Sequence, residues 1–184
     1  KNEAGYSIRL GVVTPCENGR TNAAASADAA AGVICTHCAA GKYSSEVGNN
    51  YESDCQLCPA GKYLNTTGND ALSDCVDCPA GTYSTEDGAA LLNDCTDCEC
   101  GKYSSATAAT SMDTCEACVA GKYAPGAGND AVEDCELCAM GKYSTVGGQC
   151  GDPCVSCDAG KYLNTMGNDE EEDCDDCGCG KYST

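Results

Sequence analysis

The chain has 184 residues, a formal charge of −19, 20 Cys and 22 Gly, with neither Trp nor Phe. Long aliphatic residues are scattered singly, so no large shared apolar core forms, and Cys usage this dense marks a disulfide scaffold made in an oxidising compartment. After Arg20 every cation is the Lys of a Gly-Lys-Tyr motif, which leaves no basic stripe for nucleic acid, and no apolar run reaches bilayer thickness.

Residues 1–15 differ from everything that follows. Tyr6, Ile8, Leu10 and Val12 alternate with Ser7, Arg9 and Gly11, the period of a β-strand with one buried face. No other segment offers it a matching strand. It therefore reads either as the last strand of an upstream domain or as an edge that pairs with a neighbouring molecule.

Residues 16–35 form an atypical first unit, in which Cys16 and Cys35 bracket the Ala-rich stretch NAAASADAAAG. Terminal units of repeat arrays are often irregular. A short helical turn and a loop are both compatible with this composition.

From residue 36 the array is regular. The Gly of Gly-x-Tyr recurs at Gly41, Gly61, Gly81, Gly101, Gly121, Gly141, Gly160 and Gly180, a period of twenty with one slip to nineteen. Between successive CxxC pairs lies a polar reversal such as Gly68-Asn69-Asp70, Gly128-Asn129-Asp130 or Gly167-Asn168-Asp169. Asn and Asp bond their own backbone in turns, and Gly supplies positive φ. The expected fold is a small disulfide-rich one: an elongated, solenoid-like rod of β-hairpin modules of about 20 residues, mostly coil with short strands. The chain stops in mid-repeat, so a longer parent is expected.

Translational symmetry leaves three simple ways to pair the cysteines: within each CxxC, from its second Cys to the next first Cys, or from its first Cys to the next second Cys. A bond inside CxxC belongs to redox-active sites. The second pattern closes one hairpin per module without overlap or crossing. It predicts Cys38–Cys55, Cys58–Cys75, Cys78–Cys95, Cys98–Cys115, Cys118–Cys135, Cys138–Cys154 and Cys157–Cys174, with Cys16–Cys35 at the front. Cys100, Cys150, Cys177 and Cys179 fall outside this ladder, as extra bonds within the array, cross-links between chains or free thiols. A single hairpin module buries too little to fold alone. Its Tyr is expected to pack on the next module's disulfide.

The run CPAGKY…GND…DCVDCPAGTYS resembles the ephrin-receptor-like cysteine-rich repeats and, more distantly, the hairpin submodule of tumour necrosis factor receptor ectodomains. The likeness covers residues 35–184. It implies single-disulfide β-hairpins strung in tandem, as in surface proteins of algae and protists.

Zinc is the competing chemistry, because CxxC, sixteen residues, CxxC lies within zinc-ribbon spacing. A uniform array gives no reason to group its CxxC pairs two by two, so disulfides are the expected state. Acidic clusters such as Glu170-Glu171-Glu172-Asp173 supply oxygen ligands for a structural calcium ion, but without EF-hand spacing. His37, the single imidazole, has no nucleophile beside it, and no catalytic site is expected. Asn65-Thr66-Thr67 is an N-glycosylation sequon and Asn93-Asp94-Cys95 its rarer Cys variant, while Ser104–Thr107 and Thr110-Ser111 offer hydroxyls for O-linked sugars.

These features point to a structural subunit of an extracellular fibre or cell-surface appendage, glycosylated and self-associating, without cofactor or membrane span in this segment. The alternative is the stalk of a surface receptor or adhesin that binds a protein or glycan. A third reading is an intracellular zinc-binding CxxC array.

Overall fold

Each module begins with a tight turn that only Gly fits. In a computed structural model describing residues 35–46 and 51–178, with the strand backbones Tyr6–Arg9, Val12–Pro15 and Arg20–Thr21, Lys42 N–H donates to Ala39 O at 3.1 Å. Gly41, third in that turn, has φ +81°, as a type II turn requires. The same turn recurs through Gly61, Gly81, Gly101, Gly121, Gly141 and Gly160, all with positive φ. It delivers a two-residue strand, such as Lys62–Tyr63, that runs antiparallel to the inner pair of the following CxxC, Val76–Asp77.

The return limb closes in a three-residue 3-10 turn, as at Leu72–Asp74, Leu92–Asp94 and Val132–Asp134. The Asp that precedes the second half-cystine holds it. Asp74 Oδ2 accepts from the N–H groups of Asp70 and Ala71 at 3.2 and 3.1 Å, and Asp134 does the same for Asp130 and Ala131. A charged acceptor here satisfies amide groups that the short turn leaves unpaired. In the Cys98–Cys115 module Thr114 replaces the Asp, and the Ser111 hydroxyl accepts from Asp113 N–H instead.

Modules are joined mainly by backbone. Gly41 N–H donates to Leu64 O at 2.8 Å, Ser44 N–H to Asn69 O at 3.0 Å, and Gly68 N–H returns to Cys38 O at 2.9 Å. The same three bonds recur from the Cys98–Cys115 module to the next: Gly101 to Ala124, Ser104 to Asn129, and Gly128 to Cys98. Contact also reaches the module beyond. A methyl group on Gly41 would lie 2.1 Å from Gly88 O, and one on Gly101 2.3 Å from Gly148 O. These modules therefore touch both the next module and the one after it.

The core is sulfur. Cys38, Cys58, Cys78, Cys98 and Cys138 are fully buried, whereas the module tyrosines are partly buried and Tyr162 is exposed. Tyr43 packs on Cys58, Leu64 and Cys75, the disulfide of the following module, and Tyr103 on Cys118, Ala124 and Cys135. The residue after each Tyr completes the core: Ser44, Leu64, Ser84, Ser104, Ala124, Ser144 and Leu163 are all buried. The buried hydroxyls are not orphaned, since Ser144 Oγ donates to Val146 O at 3.1 Å and Ser84 Oγ to Glu86 O at 3.4 Å.

Two compact units make up the chain: residues 1–78 with 84–96, and residues 79–83 with 97–184. Both follow the scheme above. The N-terminal segment differs from the single unmatched strand expected for residues 1–15. Tyr6–Arg9 pairs antiparallel with Val12–Pro15, Tyr6 opposite Pro15 and Arg9 opposite Val12. The β-branched run Val12-Val13-Thr14 is the partner strand, and the alternation running on through Leu10 and Val12 concealed it. In the atypical first unit Arg20–Thr21 pairs with Thr36–His37, so the hairpin rule extends ahead of Cys35.

Two glycines with the same φ separate strain from contact. Gly101 (φ +78°) faces a carbonyl two modules on, whereas a methyl group added to Gly141 (φ +79°) would meet nothing within 4 Å among the described residues. Gly141→Ala is expected to cost about 1–2 kcal/mol from backbone strain alone. Gly101→Ala adds a backbone clash and should lower Tm by well over twice as much, measured by thermal unfolding of oxidised protein.

Candidate functional site

The ladder of half-cystines is the chemically defining feature. The structure closes Cys38–Cys55, Cys58–Cys75, Cys78–Cys95, Cys98–Cys115, Cys118–Cys135, Cys138–Cys154 and Cys157–Cys174. Cys35 is also disulfide-bonded, while its expected partner Cys16 lies outside the described residues. With their sulfurs bonded to one another, these cysteines offer no thiolate to zinc. Eight disulfides among the described residues mark a protein of an oxidising, extracellular or secreted environment.

Of the four cysteines outside the ladder, Cys100 and Cys150 are bonded to each other across 50 residues. Cys100 stands where other modules carry the Ala before Gly, and Cys150 lies in the segment GGQCGDPC. Their bond joins the Cys98–Cys115 module to the Cys138–Cys154 module, beside the close approach of Gly101 to Gly148 O. Cys177 is a free thiol, partly exposed, and Cys179 lies outside the described residues.

The remaining candidate residues are separate surface features. Asn65 and its sequon hydroxyl residue Thr67 are exposed, and the intervening Thr66 donates to Asn69 Oδ1 at 3.0 Å. Asn93 is exposed, with Asp94 clamping the 3-10 turn and Cys95 buried in its disulfide. Ser105, Thr107 and Thr110 are exposed, but Ser104 is buried and unavailable to a sugar, because the position after Tyr points into the core. The His37 ring lies over Gly68, 3.0 Å from where a methyl group there would sit. No three His, Cys, Asp or Glu side chains among the described residues converge as metal ligands. No helix among them is long and apolar enough to cross a membrane.

Each hairpin carries a Tyr and, except where Thr82 replaces it, a Lys, and in several modules these side chains reach toward the return limb. Lys42 Nζ lies 3.2 Å from Glu52 Oε1, Lys142 Nζ 3.4 Å from Asp152 Oδ2, and Lys62 pairs with Asp77. Tyr103 OH donates to Glu116 Oε2 at 2.9 Å, and Tyr43 OH to Gln56 Oε1 at 2.9 Å. The bond to Glu116 holds the Tyr103 phenol above its ordinary range, aided by desolvation and the carboxylate's charge. Glu136 does the same to Tyr123.

One module breaks the pattern. Cys138–Cys154 encloses one residue fewer than the other rungs, 16 against 17, and no 3-10 turn precedes Cys154. Asp152 Oδ1 accepts from Cys154 N–H at 2.9 Å in its place. Beside it opens a cleft of about 600 Å³, lined by Tyr143, Val146, Pro153 and Val155 and walled by Glu170, Glu171 and Glu172 of the following module. Comparison of the chain with protein-family models and with curated proteins returned no match.

Two measurements test this surface and its staple. The other disulfides shorten the path from Cys100 to Cys150 to about 15 links, so closing it is worth roughly 3 kcal/mol rather than the ~4 of a free 50-residue loop. Removing both cysteines (Cys100→Ser, Cys150→Ser) should cost that amount in denaturant unfolding with the ladder intact. For the tyrosines, the raised folded value of Tyr103 means its stabilising bond is complete below the unfolded tyrosine value, about 10, and is lost as pH climbs through the folded one. Ultraviolet titration should show Glu116→Gln lowering the Tyr103 ionisation, with alkaline unfolding shifted accordingly.

Proposed function

We propose that this chain is a structural subunit of an extracellular fibre or cell-surface appendage, built of ephrin-receptor-like modules and assembling with copies of itself. The observation that carries the reading is the three-bond main-chain ladder from module to module. Its front and back faces differ: the turn Gly N–H of one module points forward, and its Cys carbonyl accepts from the following module. A contact between unlike faces is head-to-tail, and repeated between chains it grows an open filament wherever its rotation does not close a ring. Because the bonds are backbone to backbone, a second copy can use them without any side-chain match. Cys177 and Cys179 are the residues left for a covalent tie to a further module or to a second copy, and Asn65 is the address for glycan.

Charge sets the conditions. At −19 the chain repels its copies, and screening within ~10 Å at 0.1 M salt relieves that repulsion. The stalk reading has one observation of its own, the cleft at the irregular module.

Electron microscopy of native, unreduced material should show filaments that lengthen as salt is raised, with multimers that collapse to single chains on reduction. Material that sediments as a monomer at every salt concentration and every degree of oxidation would overturn the fibre reading.

A further inference from the structure

We propose that the cleft of the Cys138–Cys154 module is a binding site for a cationic side chain, arginine above all, presented by an extended segment of a partner protein. The site arises from the break in the repeat. Without the 3-10 turn, residues 145–153 leave Tyr143, Val146, Pro153 and Val155 lining an open cleft. Val146 and Val155 are each more than half exposed, an apolar floor suited to the methylenes of a long basic side chain.

Tyr143, like Tyr63 opposite Val76, lacks the acceptor that other module tyrosines have. Tyr103 and Tyr123 give their hydroxyls to Glu116 and Glu136 on the paired strand. The residue opposite Tyr143 is Val155, which accepts nothing, and its phenol has no hydrogen-bond partner among the described residues. It therefore presents a ring and an unused hydroxyl to the cleft. Burial and the charges of Glu171, Asp158 and Glu172 all favour the neutral phenol.

The wall is acidic and unpaired. Glu170, Glu171 and Glu172 are exposed, and none has an ion pair among the described residues. The nearby Lys142 is taken by Asp152. These carboxylates do not converge as ligands would, which disfavours a compact divalent ion. Spread along a wall facing a tyrosine ring, they suit the planar guanidinium, which forks to carboxylates and stacks on aromatic faces. A chain of charge −19 is a poor donor of that cation to its own copies, so a different protein is the better partner.

The test uses the oxidised full chain and acetyl-Gly-Arg-Gly-amide as probe, followed by nuclear magnetic resonance. The peptide should shift the signals of Tyr143 and Val155 and weaken as salt is raised. The citrulline peptide, neutral but of the same shape, should bind at least tenfold more weakly, and the lysine peptide should fall between. Glu171→Gln with Glu172→Gln, both on the surface, should reduce arginine binding about tenfold without changing Tm. Equal binding of arginine and citrulline peptides, or no effect of the double substitution, overturns the proposal. So does calcium displacing the peptide one for one, which would make the site a metal site. Sedimentation completes the test: self-association abolished by the same two substitutions would make a second copy the occupant. The peptide result is read on single chains and stands or falls apart from filament growth.

Discussion

The structure depends on a main-chain hydrogen bond that only glycine permits. At Gly41 the positive φ turns the N–H toward Leu64 O, 2.8 Å away in the next module. The missing side chain also admits the Gly88 carbonyl, two modules on, into space that a methyl group would fill. One residue thus fixes the turn, the bond to the neighbour and the approach of the next neighbour but one. The disulfides sit directly behind this contact: Cys58 N–H donates to Gly41 O at 2.9 Å, and its sulfur is fully buried. Gly and Cys are held in place by backbone geometry, while Lys, Tyr and the turn residues decorate the frame.

The consequence is cooperativity across modules. The three inter-module hydrogen bonds are worth about 1 kcal/mol each, and because they lie between modules, none exists in a module by itself. Tyr43 makes the same point, since the disulfide it covers, Cys58–Cys75, belongs to the following hairpin. A pure nearest-neighbour chain would transmit strain one step at a time. Here the Gly41–Gly88 and Gly101–Gly148 approaches couple alternate modules directly, so a defect at one glycine is felt in two other modules.

Much of this was legible in the residues. The twenty-residue recurrence of Gly and the CxxC spacing pointed to hairpins with one disulfide each, because both features are local and repeat in register. What could not be read were contacts that carry no local signature. Contact two modules away leaves no trace in a single repeat, since Gly41 already needs its positive φ for the turn. The role of the Asp before the half-cystine as a clamp on Asp70 and Ala71 appears only once the 3-10 turn is formed. A signal for the buried position after Tyr was present: it is Ser, Leu or Ala in every described module and never charged. The cleft was half visible, because residues 146–153 are the clear departure from the repeat within the regular array, though its wall comes from the next module.

The irregular module also accounts for the placement of the extra disulfide. Losing one residue and the 3-10 turn removes the Asp clamp that steadies return limbs such as those of Asp74, Asp94 and Asp134. Asp152 restores one hydrogen bond, to Cys154. Cys150 restores a covalent tie, and it ties to Cys100, two modules back, rather than to a neighbour. That choice follows from the backbone, because Gly101 and Gly148 already bring those two segments within contact, and the bridged Cα atoms stand 4.7 Å apart. A staple inside the irregular hairpin would only have duplicated Cys138–Cys154. Tying the loop to the far module instead secures the segment covalently, while Tyr143 and Val155 of the same module line an open cleft. The extra staple and the cleft thus arise at the same departure from the repeat.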